Sequence, residues 1–136
     1  MENRTVGILG TGTMGAGIVQ VAAQAGYAVV ACDPAVEALE KAQLYVRDGL
    51  GRSARKGLLS EEEGRLAYDR IRWTTNLEEF AGCEAVIEAI VERAEPKREA
   101  FAALDGLLAE EALILTNTSS ISITDLASAT RRPDRV

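Results

Sequence analysis

The sequence of 136 residues contains no histidine. Because histidine is the commonest general acid and base near neutral pH, chemistry carried by this chain alone lacks the usual proton shuttle. Cysteine is scarce as well, since Cys32 and Cys83 are the only two and each lies inside or beside an apolar stretch. Two small, reduced core residues are therefore a better interpretation than a disulfide or a metal pair, and we predict no metal ligands.

Two further absences limit the partners and the location of the chain. The formal net charge is -6, so there is no basic field to attract nucleic acid. No apolar run is long enough to span a bilayer, no run rich in lysine and arginine favours a membrane surface, and the first residues lack the pattern of a signal peptide. We therefore expect no nucleic-acid partner, no membrane partner and a cytoplasmic location.

A glycine-rich turn stands near the start of the chain. An apolar run reaches Leu9 and breaks into Gly10-x-Gly12-x-x-Gly15, which opens an apolar helical pattern. In a strand-turn-helix unit, the first glycine makes the tight turn, the second lets the backbone approach a pyrophosphate, and the third lets helix and strand pack closely. The alternative is an ordinary loop between a strand and a helix.

Asp33 favours the nucleotide site over the ordinary loop. It ends a second apolar run, Ala28–Cys32, roughly 20 residues after the glycines, where dinucleotide-binding folds place a carboxylate against the ribose hydroxyls. The sequence therefore predicts a dinucleotide site.

Strand-like runs alternate with helical stretches along the rest of the chain. The predicted strands are Thr5–Leu9, Ala28–Cys32, a short one near Ile71–Thr74, Ala85–Ile90 and Leu113–Thr116. This alternation predicts an α/β fold with a Rossmann-type, doubly wound parallel sheet. The first helix, about Thr13–Ala25, is predicted to use an apolar face made of Met14, Ile18, Val21, Ala22 and Ala25.

A helix-turn-helix insertion is predicted after the second strand. Its first helix follows Pro34, runs toward Lys56 and turns at Gly57, and Ser60-Glu61-Glu62-Glu63 then has the form of a capping box. The turn carries Arg52, Arg55 and Lys56, a cluster able to hold a phosphate. Cations that complement the dipole at a solvated helix end are the alternative, and the residues alone favour it.

Polar residues follow two of the strands at their carboxyl ends, where doubly wound sheets bind ligands. Glu88, Glu92, Glu95 and Lys97 follow one strand, as the chain enters a helix that begins near Pro96. Glu92 and Lys97 are the candidates there, with ordinary surface charges as the alternative. Asn117 and Ser119 follow the last strand and are candidates beside hydroxyl groups that cap the next helix.

Three motifs together resemble the amino-terminal domain of NAD-dependent 3-hydroxyacyl-CoA dehydrogenases. They are Gly10–Gly15, Glu88–Glu92 and Thr116–Ile123, and the resemblance spans nearly the whole chain. The last two motifs, in this order and spacing, are more specific than the glycine fingerprint. Other Rossmann reductases, such as 3-hydroxyacid or 6-phosphogluconate dehydrogenases, share the fingerprint but are not expected to carry the last motif.

The resemblance implies NAD as the cofactor and gives each candidate residue a role. The pyrophosphate is held by the turn and helix start, at Gly10, Gly12, Thr13, Met14 and Gly15. Asp33 takes the adenosine ribose, and its charge would repel the 2′-phosphate of NADP. The nicotinamide side of the cofactor is implied to lie at Ala89, Glu92, Lys97 and Asn117.

The resemblance also implies an acyl-CoA substrate and a reaction. The enzymes interconvert (S)-3-hydroxyacyl-CoA and 3-oxoacyl-CoA by hydride transfer. Ser119 is the implied catalytic residue, donating a hydrogen bond to the substrate oxygen that becomes the carbonyl, and Lys56 and Arg52 are candidates for the coenzyme A phosphates.

The family's base is a histidine held by a glutamate, in a segment resembling G-x-H-F-x-N-P that this sequence does not contain. We therefore interpret residues 1–136 as a dinucleotide-binding domain that is incomplete at its carboxyl end, with the last strands and the helical substrate and dimerisation domain absent. The isolated chain is expected to be inactive, and the full-length protein is expected to form a homodimer. A stand-alone NAD-binding module, or one half of a split enzyme, is the alternative.

Overall fold

A computed structural model describes residues 4–90, 94–116, 130 and 134, without the side chains of residues 94–97. The strands in this part of the chain form one parallel sheet in the order β3-β2-β1-β4-β5, which is the order of a Rossmann sheet. They are β1 (Thr5–Leu9), β2 (Ala28–Cys32), β3 (Ile71–Thr74), β4 (Ala85–Glu88) and β5 (Leu113–Thr116). The predicted α/β Rossmann-type fold is confirmed.

The helices connect these strands as the alternating pattern indicates. They are α1 (Thr13–Gln24), α2 (Val36–Arg55), α3 (Glu61–Asp69) and α4 (Ala94–Leu107), with a short 3-10 helix at Leu77–Phe80. The predicted insertion is confirmed, since α2 and α3 both lie between β2 and β3, and Gly57 turns the chain between them with a φ of 75°. Pro96 lies in the first turn of α4, which begins two residues earlier at Ala94.

Two apolar cores lie on opposite faces of the sheet. On one face α1, α2 and α3 pack against Ile8, Val29 and Ala31 of the central strands. On the other face α4 and the 3-10 helix pack against Leu9, Val30 and Ile114. Every helix in the described residues is too short or too polar to cross a membrane.

Both cysteines belong to the core on the α4 side, as small buried thiols are expected to do. Burial raises the pKa of each thiol to about 11, and the carboxylates of Asp33 and Glu79 add to the effect at Cys32. Cys32 and Cys83 are both free, so the structure agrees with the interpretation as reduced core residues.

The apolar face predicted for α1 is confirmed at Ile18 and Ala22, which are partly buried and pack against the core, and is wrong at its other three residues. Met14 and Val21 are 59% and 68% exposed, and Ala25 is exposed beyond the end of the helix. The buried residues are the smaller ones, at Gly15, Ala16, Val19 and Ala23. Small side chains on one face let α1 lie close to the sheet and to α2. This face is therefore the buried one, although larger apolar residues lie on other faces of the helix.

The predicted end of β4 at Ile90 is also wrong, by two residues. The strand ends at Glu88, and the backbone N–H of Ile90 donates to the Glu88 carboxyl group instead of to a neighbouring strand. A side chain has therefore replaced the sheet as the partner of this amide.

Candidate functional site

The glycine-rich turn lies where the strand order of the sheet reverses. From β1 the chain crosses to β2 on one side, whereas β4 lies on the other side of β1. Ligands of doubly wound sheets bind in the crevice outside the carboxyl ends of the strands at such a point. The N–H of Ala89 donates to the carbonyl of Leu9 at 2.8 Å, which holds the end of β4 beside the turn.

Two of the three glycines in the turn are required by the fold. Gly10 has a φ of 100°, which L side chains rarely adopt, and a Cβ built there would lie 2.7 Å from the carbonyl oxygen of Ala89. A Cβ at Gly15 would lie only 1.8 Å from the carbonyl oxygen of Gly10. Packing within the protein therefore demands glycine at both positions.

Gly12 is different from the other two. Its φ of −66° suits any residue, and a Cβ built there would meet no atom within 4 Å. Neither backbone conformation nor packing explains glycine here. The open space above Gly12 is what the second glycine of the fingerprint provides for a pyrophosphate.

The N-terminus of α1 has no side-chain cap, and its first turn contains no acidic residue. Gly12 stands at the N-cap position, and Thr13, Met14 and Gly15 follow in the first turn. Because N–H groups in the first turn have no partner within a helix, and the helix dipole is positive at this end, the arrangement suits an anion. The structure thus brings the predicted pyrophosphate residues together.

Asp33 lies against the glycine turn. One carboxylate oxygen, Oδ2, accepts hydrogen bonds from the backbone N–H of Thr11 at 2.9 Å and from the Thr11 hydroxyl at 3.3 Å. The other, Oδ1, accepts from the N–H of Ala35 at 2.9 Å. Sequence reasoning did not identify Thr11, which is buried, as the residue that joins the carboxylate to the turn.

A cleft of about 400 Å³ opens between this turn and the start of α2. Its volume lies in the range of small-molecule sites, roughly 300–1,000 Å³. The turn and α1 contribute Thr11, Gly12, Thr13 and Ala16, and the other side is lined by Ala35, Glu37, Ala38, Lys41, Ala42 and Tyr45. The sequence did not predict that residues of α2 line this cleft, because their spacing is that of any half-exposed helix.

Ala89, one of the predicted cofactor residues, lies against the same turn. Its side chain would be 3.6 Å from a Cβ built at Gly15, and its carbonyl is the group that approaches Gly10. The residue before it, Glu88, is fully buried. Glu88 Oε1 accepts from the hydroxyl of Thr116 at 2.7 Å, and Oε2 accepts from the N–H of Ile90 at 2.7 Å.

Several predicted residues cannot be placed beside this site. Glu92, Asn117 and Ser119 lie outside the described residues, as does the side chain of Lys97. Lys97 itself belongs to the first turn of α4. Their implied roles stay predictions.

The two residues predicted to meet coenzyme A phosphates lie at the end of α2. Arg52 is in its last turn and Lys56 is its C-cap, and both are exposed. A cleft of about 470 Å³ between α2 and α3 is lined by other cations, Arg47, Arg55 and Arg65, together with Tyr68. Arg52 and Lys56 line neither this cleft nor the one at the glycine turn.

Comparison with known proteins gives a consistent result. A family model described as "3-hydroxyacyl-CoA dehydrogenase, NAD binding domain" matches residues 5–136. A probable 3-hydroxybutyryl-CoA dehydrogenase of Deinococcus radiodurans is 42% identical over 127 residues, which are 93% of this chain and 45% of the relative. The 3-hydroxyadipyl-CoA dehydrogenase of Escherichia coli K12 is 39% identical over 98% of this chain and 28% of its own length.

A solved structure agrees with these sequence matches. The (S)-3-hydroxybutyryl-CoA dehydrogenase of Ralstonia eutropha superposes with a TM-score of 0.93 at 40% identity, over 98% of this chain and 47% of that one. The chain spans about half the length of the 3-hydroxybutyryl-CoA dehydrogenases that it matches.

Proposed function

Because this chain belongs to the 3-hydroxyacyl-CoA dehydrogenase family, as its NAD-binding domain, we propose that it is the cofactor half of an enzyme acting on (S)-3-hydroxyacyl-CoA. The predicted cofactor, NAD, is confirmed by the family. The proposed reaction interconverts the 3-hydroxyacyl and 3-oxoacyl thioesters. Relatives named for 3-hydroxybutyryl-CoA and 3-hydroxyadipyl-CoA support the substrate class.

The observation that carries the proposal is the open backbone at Gly12. Here a glycine that neither its φ nor packing requires stands at an uncapped helix start, at the switch point of the sheet. Asp33 is already held against the same turn through Thr11, one residue beyond the carboxyl end of the adjacent strand β2. A dinucleotide lying across this crevice would meet N–H groups with its pyrophosphate and a carboxylate with its ribose.

In the proposed reaction NAD supplies the hydride acceptor, and the chain's residues bind and orient. The first turn of α1 would hold the pyrophosphate, and Asp33 the hydroxyls of the adenosine ribose. Ser119 would donate a hydrogen bond to the substrate oxygen. The base that takes the hydroxyl proton is a histidine in the family, and these 136 residues contain none.

We therefore expect the chain by itself to bind NADH without reducing a 3-oxoacyl-CoA. The assay is oxidation of NADH in the presence of acetoacetyl-CoA, and measurable turnover by the purified chain would refute this expectation. Activity that appears only when a second chain supplies the base would instead favour one half of a split enzyme. The homodimer, the cytoplasmic location and the coenzyme A contacts of Lys56 and Arg52 stay predictions.

The direct test of the cofactor site is calorimetric titration with NADH and NADPH. We expect saturable binding that favours NADH, and Asp33→Ala should weaken NADH binding and narrow its advantage over NADPH. Asp33→Asn removes the charge but keeps one acceptor oxygen, so it separates repulsion of the 2′-phosphate from the hydrogen bonds of the carboxylate. Binding of neither cofactor by the unmodified chain, or an unchanged preference in Asp33→Ala, would contradict the assignment.

A further inference from the structure

Glu88 is a carboxyl group in an apolar surrounding. It is 0% exposed and lies two residues after Val86, on the sheet face that α4 covers. Burying such a group costs free energy unless its oxygens are hydrogen-bonded, and here both oxygens accept.

The carboxyl group accepts hydrogen bonds from two different parts of the chain. Thr116 is the register partner of Glu88 on the neighbouring strand, so their hydrogen bond of 2.7 Å joins the last residues of β4 and β5. Ile90 follows β4, and its N–H is bound at 2.7 Å after the strand has ended. One side chain thus joins the carboxyl ends of two adjacent strands and holds the amide of Ile90, two residues beyond β4.

These strand ends lead directly into the segments with implied cofactor and substrate roles. The chain passes from Ile90 to Glu92 and from Thr116 to Asn117 and Ser119. On the other side of β4, Ala89 lies against Gly10 of the pyrophosphate turn. Because Asp33 would bind the adenosine ribose on the β2 side of this turn, the nicotinamide would extend to the β4 side, next to Glu88.

We propose that Glu88 is a positioning residue, which sets the nicotinamide half of the cofactor site through the Thr116 hydroxyl and the Ile90 amide. The inference rests on the proposed function, since it presumes that NAD lies across the crevice. An apolar residue at position 88 would fill the same space but would leave the Ile90 amide without this acceptor. If Glu88 positions only the nicotinamide half, loss of its hydrogen bond should weaken binding of the nicotinamide end and leave binding of the adenosine end unchanged.

The test compares two ligands that share the adenosine and the pyrophosphate. NADH carries the nicotinamide ring and ADP-ribose lacks it. Thr116→Val removes the hydroxyl bound to Glu88 with little change in shape, and Thr116→Ser restores it. We expect Thr116→Val to weaken NADH binding about tenfold, which is about 1.4 kcal/mol, while ADP-ribose binding changes by less than about twofold.

Thr74→Val is the matched control. Thr74 ends β3 as Thr116 ends β5, and its hydroxyl donates to the carboxylate of Glu79. The variant therefore loses a hydroxyl–carboxylate hydrogen bond at a strand end on the far side of the sheet, together with the one that the hydroxyl accepts from the N–H of Asn76. We expect the thermal stability of Thr74→Val to fall. The ratio of its NADH dissociation constant to its ADP-ribose dissociation constant should stay at the value of the unmodified chain.

The outcomes separate this inference from the proposed function. If the unmodified chain binds neither ligand, the proposed function fails and the inference fails with it. If the unmodified chain binds both, but Thr116→Val weakens both equally or neither, Glu88 has only a structural role. Should valine at position 116 prevent folding, Thr116→Ala and Glu88→Gln give the same ratio test, since the glutamine amide cannot accept from both partners.

Discussion

The helices α1 and α3 differ in whether the free N–H groups at their N-termini have side-chain partners. α3 is capped by Ser60, whose hydroxyl accepts from the N–H of Glu63 at 3.0 Å, while the Glu63 carboxylate accepts from the N–H of Ser60 at 2.8 Å. α1 begins at Thr13, and its N-cap residue, Gly12, provides no side-chain cap. Both helices have N–H groups that need partners, but only α3 supplies them from its own sequence.

Acidic residues in the first turn also distinguish α3 from α1. The first turn of α3 holds three glutamates, Glu61, Glu62 and Glu63, whereas the first turn of α1 holds no acidic residue. Negative charge at a helix start stabilises the helix and repels an incoming anion. The comparison shows that α3 is built for stability and that α1 leaves its N–H groups open to a ligand.

Among the variants that test this difference between α1 and α3, Gly12→Ala is expected to have the largest effect, and the effect is on NADH affinity. The added methyl group would fill the space by which a pyrophosphate approaches the backbone, so NADH affinity should fall at least about tenfold. Stability should fall by no more than about 1 kcal/mol, which is the usual cost of alanine at an N-cap. Fluorescence titration with NADH and thermal unfolding measure the two quantities.

Gly15→Ala is the matched control for this variant. Its Cβ would lie 1.8 Å from the carbonyl oxygen of Gly10, so the protein itself must shift. Overpacking of this kind costs about 1–3 kcal/mol, and the unfolding temperature should fall with it. If Gly12→Ala lowered the unfolding temperature as much as Gly15→Ala, glycine at position 12 would serve the fold rather than the ligand.

Ser60→Ala is expected to show the reverse pattern at α3. Loss of the N-cap should cost about 1 kcal/mol of unfolding free energy, while NADH affinity stays unchanged. Urea denaturation of the two forms measures the difference, and Ser60→Thr, which keeps a hydroxyl at the N-cap, should recover most of it. A change in NADH affinity in Ser60→Ala would mean that the insertion contributes to the cofactor site.

Sequence reasoning succeeds where the signal is local. The capping box at Ser60 and the turn at Gly57 each depend on residues within a few positions of one another, and the structure has both. The glycine turn and Asp33 were also placed together correctly, because a parallel strand order brings the ends of neighbouring strands side by side.

It fails where a residue's environment comes from a distant part of the chain. The buried face of α1 is decided by Gly15 against the backbone of Gly10 and by contact with α2, which apolar spacing does not reveal. The 3-10 helix was not predicted, yet its Phe80 is fully buried. The Phe80 ring would lie 2.5 Å from a Cβ at Gly7, so a glycine in β1 makes the room for it.

The smallest expected effect is the pH dependence of the capping box. The hydrogen bond from the Ser60 backbone N–H, with the Ser60 side chain second, lowers the pKa of Glu63 from its ordinary value of 4.5. A carboxyl group whose pKa is lower in the folded state adds stability above the unfolded pKa and loses it as the pH falls through the folded pKa. The free energy of unfolding should therefore decline as the pH is lowered below 4.5.

Glu63→Gln should remove this part of the pH dependence, because glutamine keeps a capping oxygen but does not titrate. Urea denaturation of both forms between neutral pH and the acid limit gives the difference in unfolding free energy, which should shrink as the pH falls. Glu61→Gln removes the same charge from the same turn without a capping-box hydrogen bond. If it flattened the pH profile as much as Glu63→Gln, the helix dipole rather than the Ser60 hydrogen bonds would account for the effect, and the cap at α3 would be weaker than its geometry indicates.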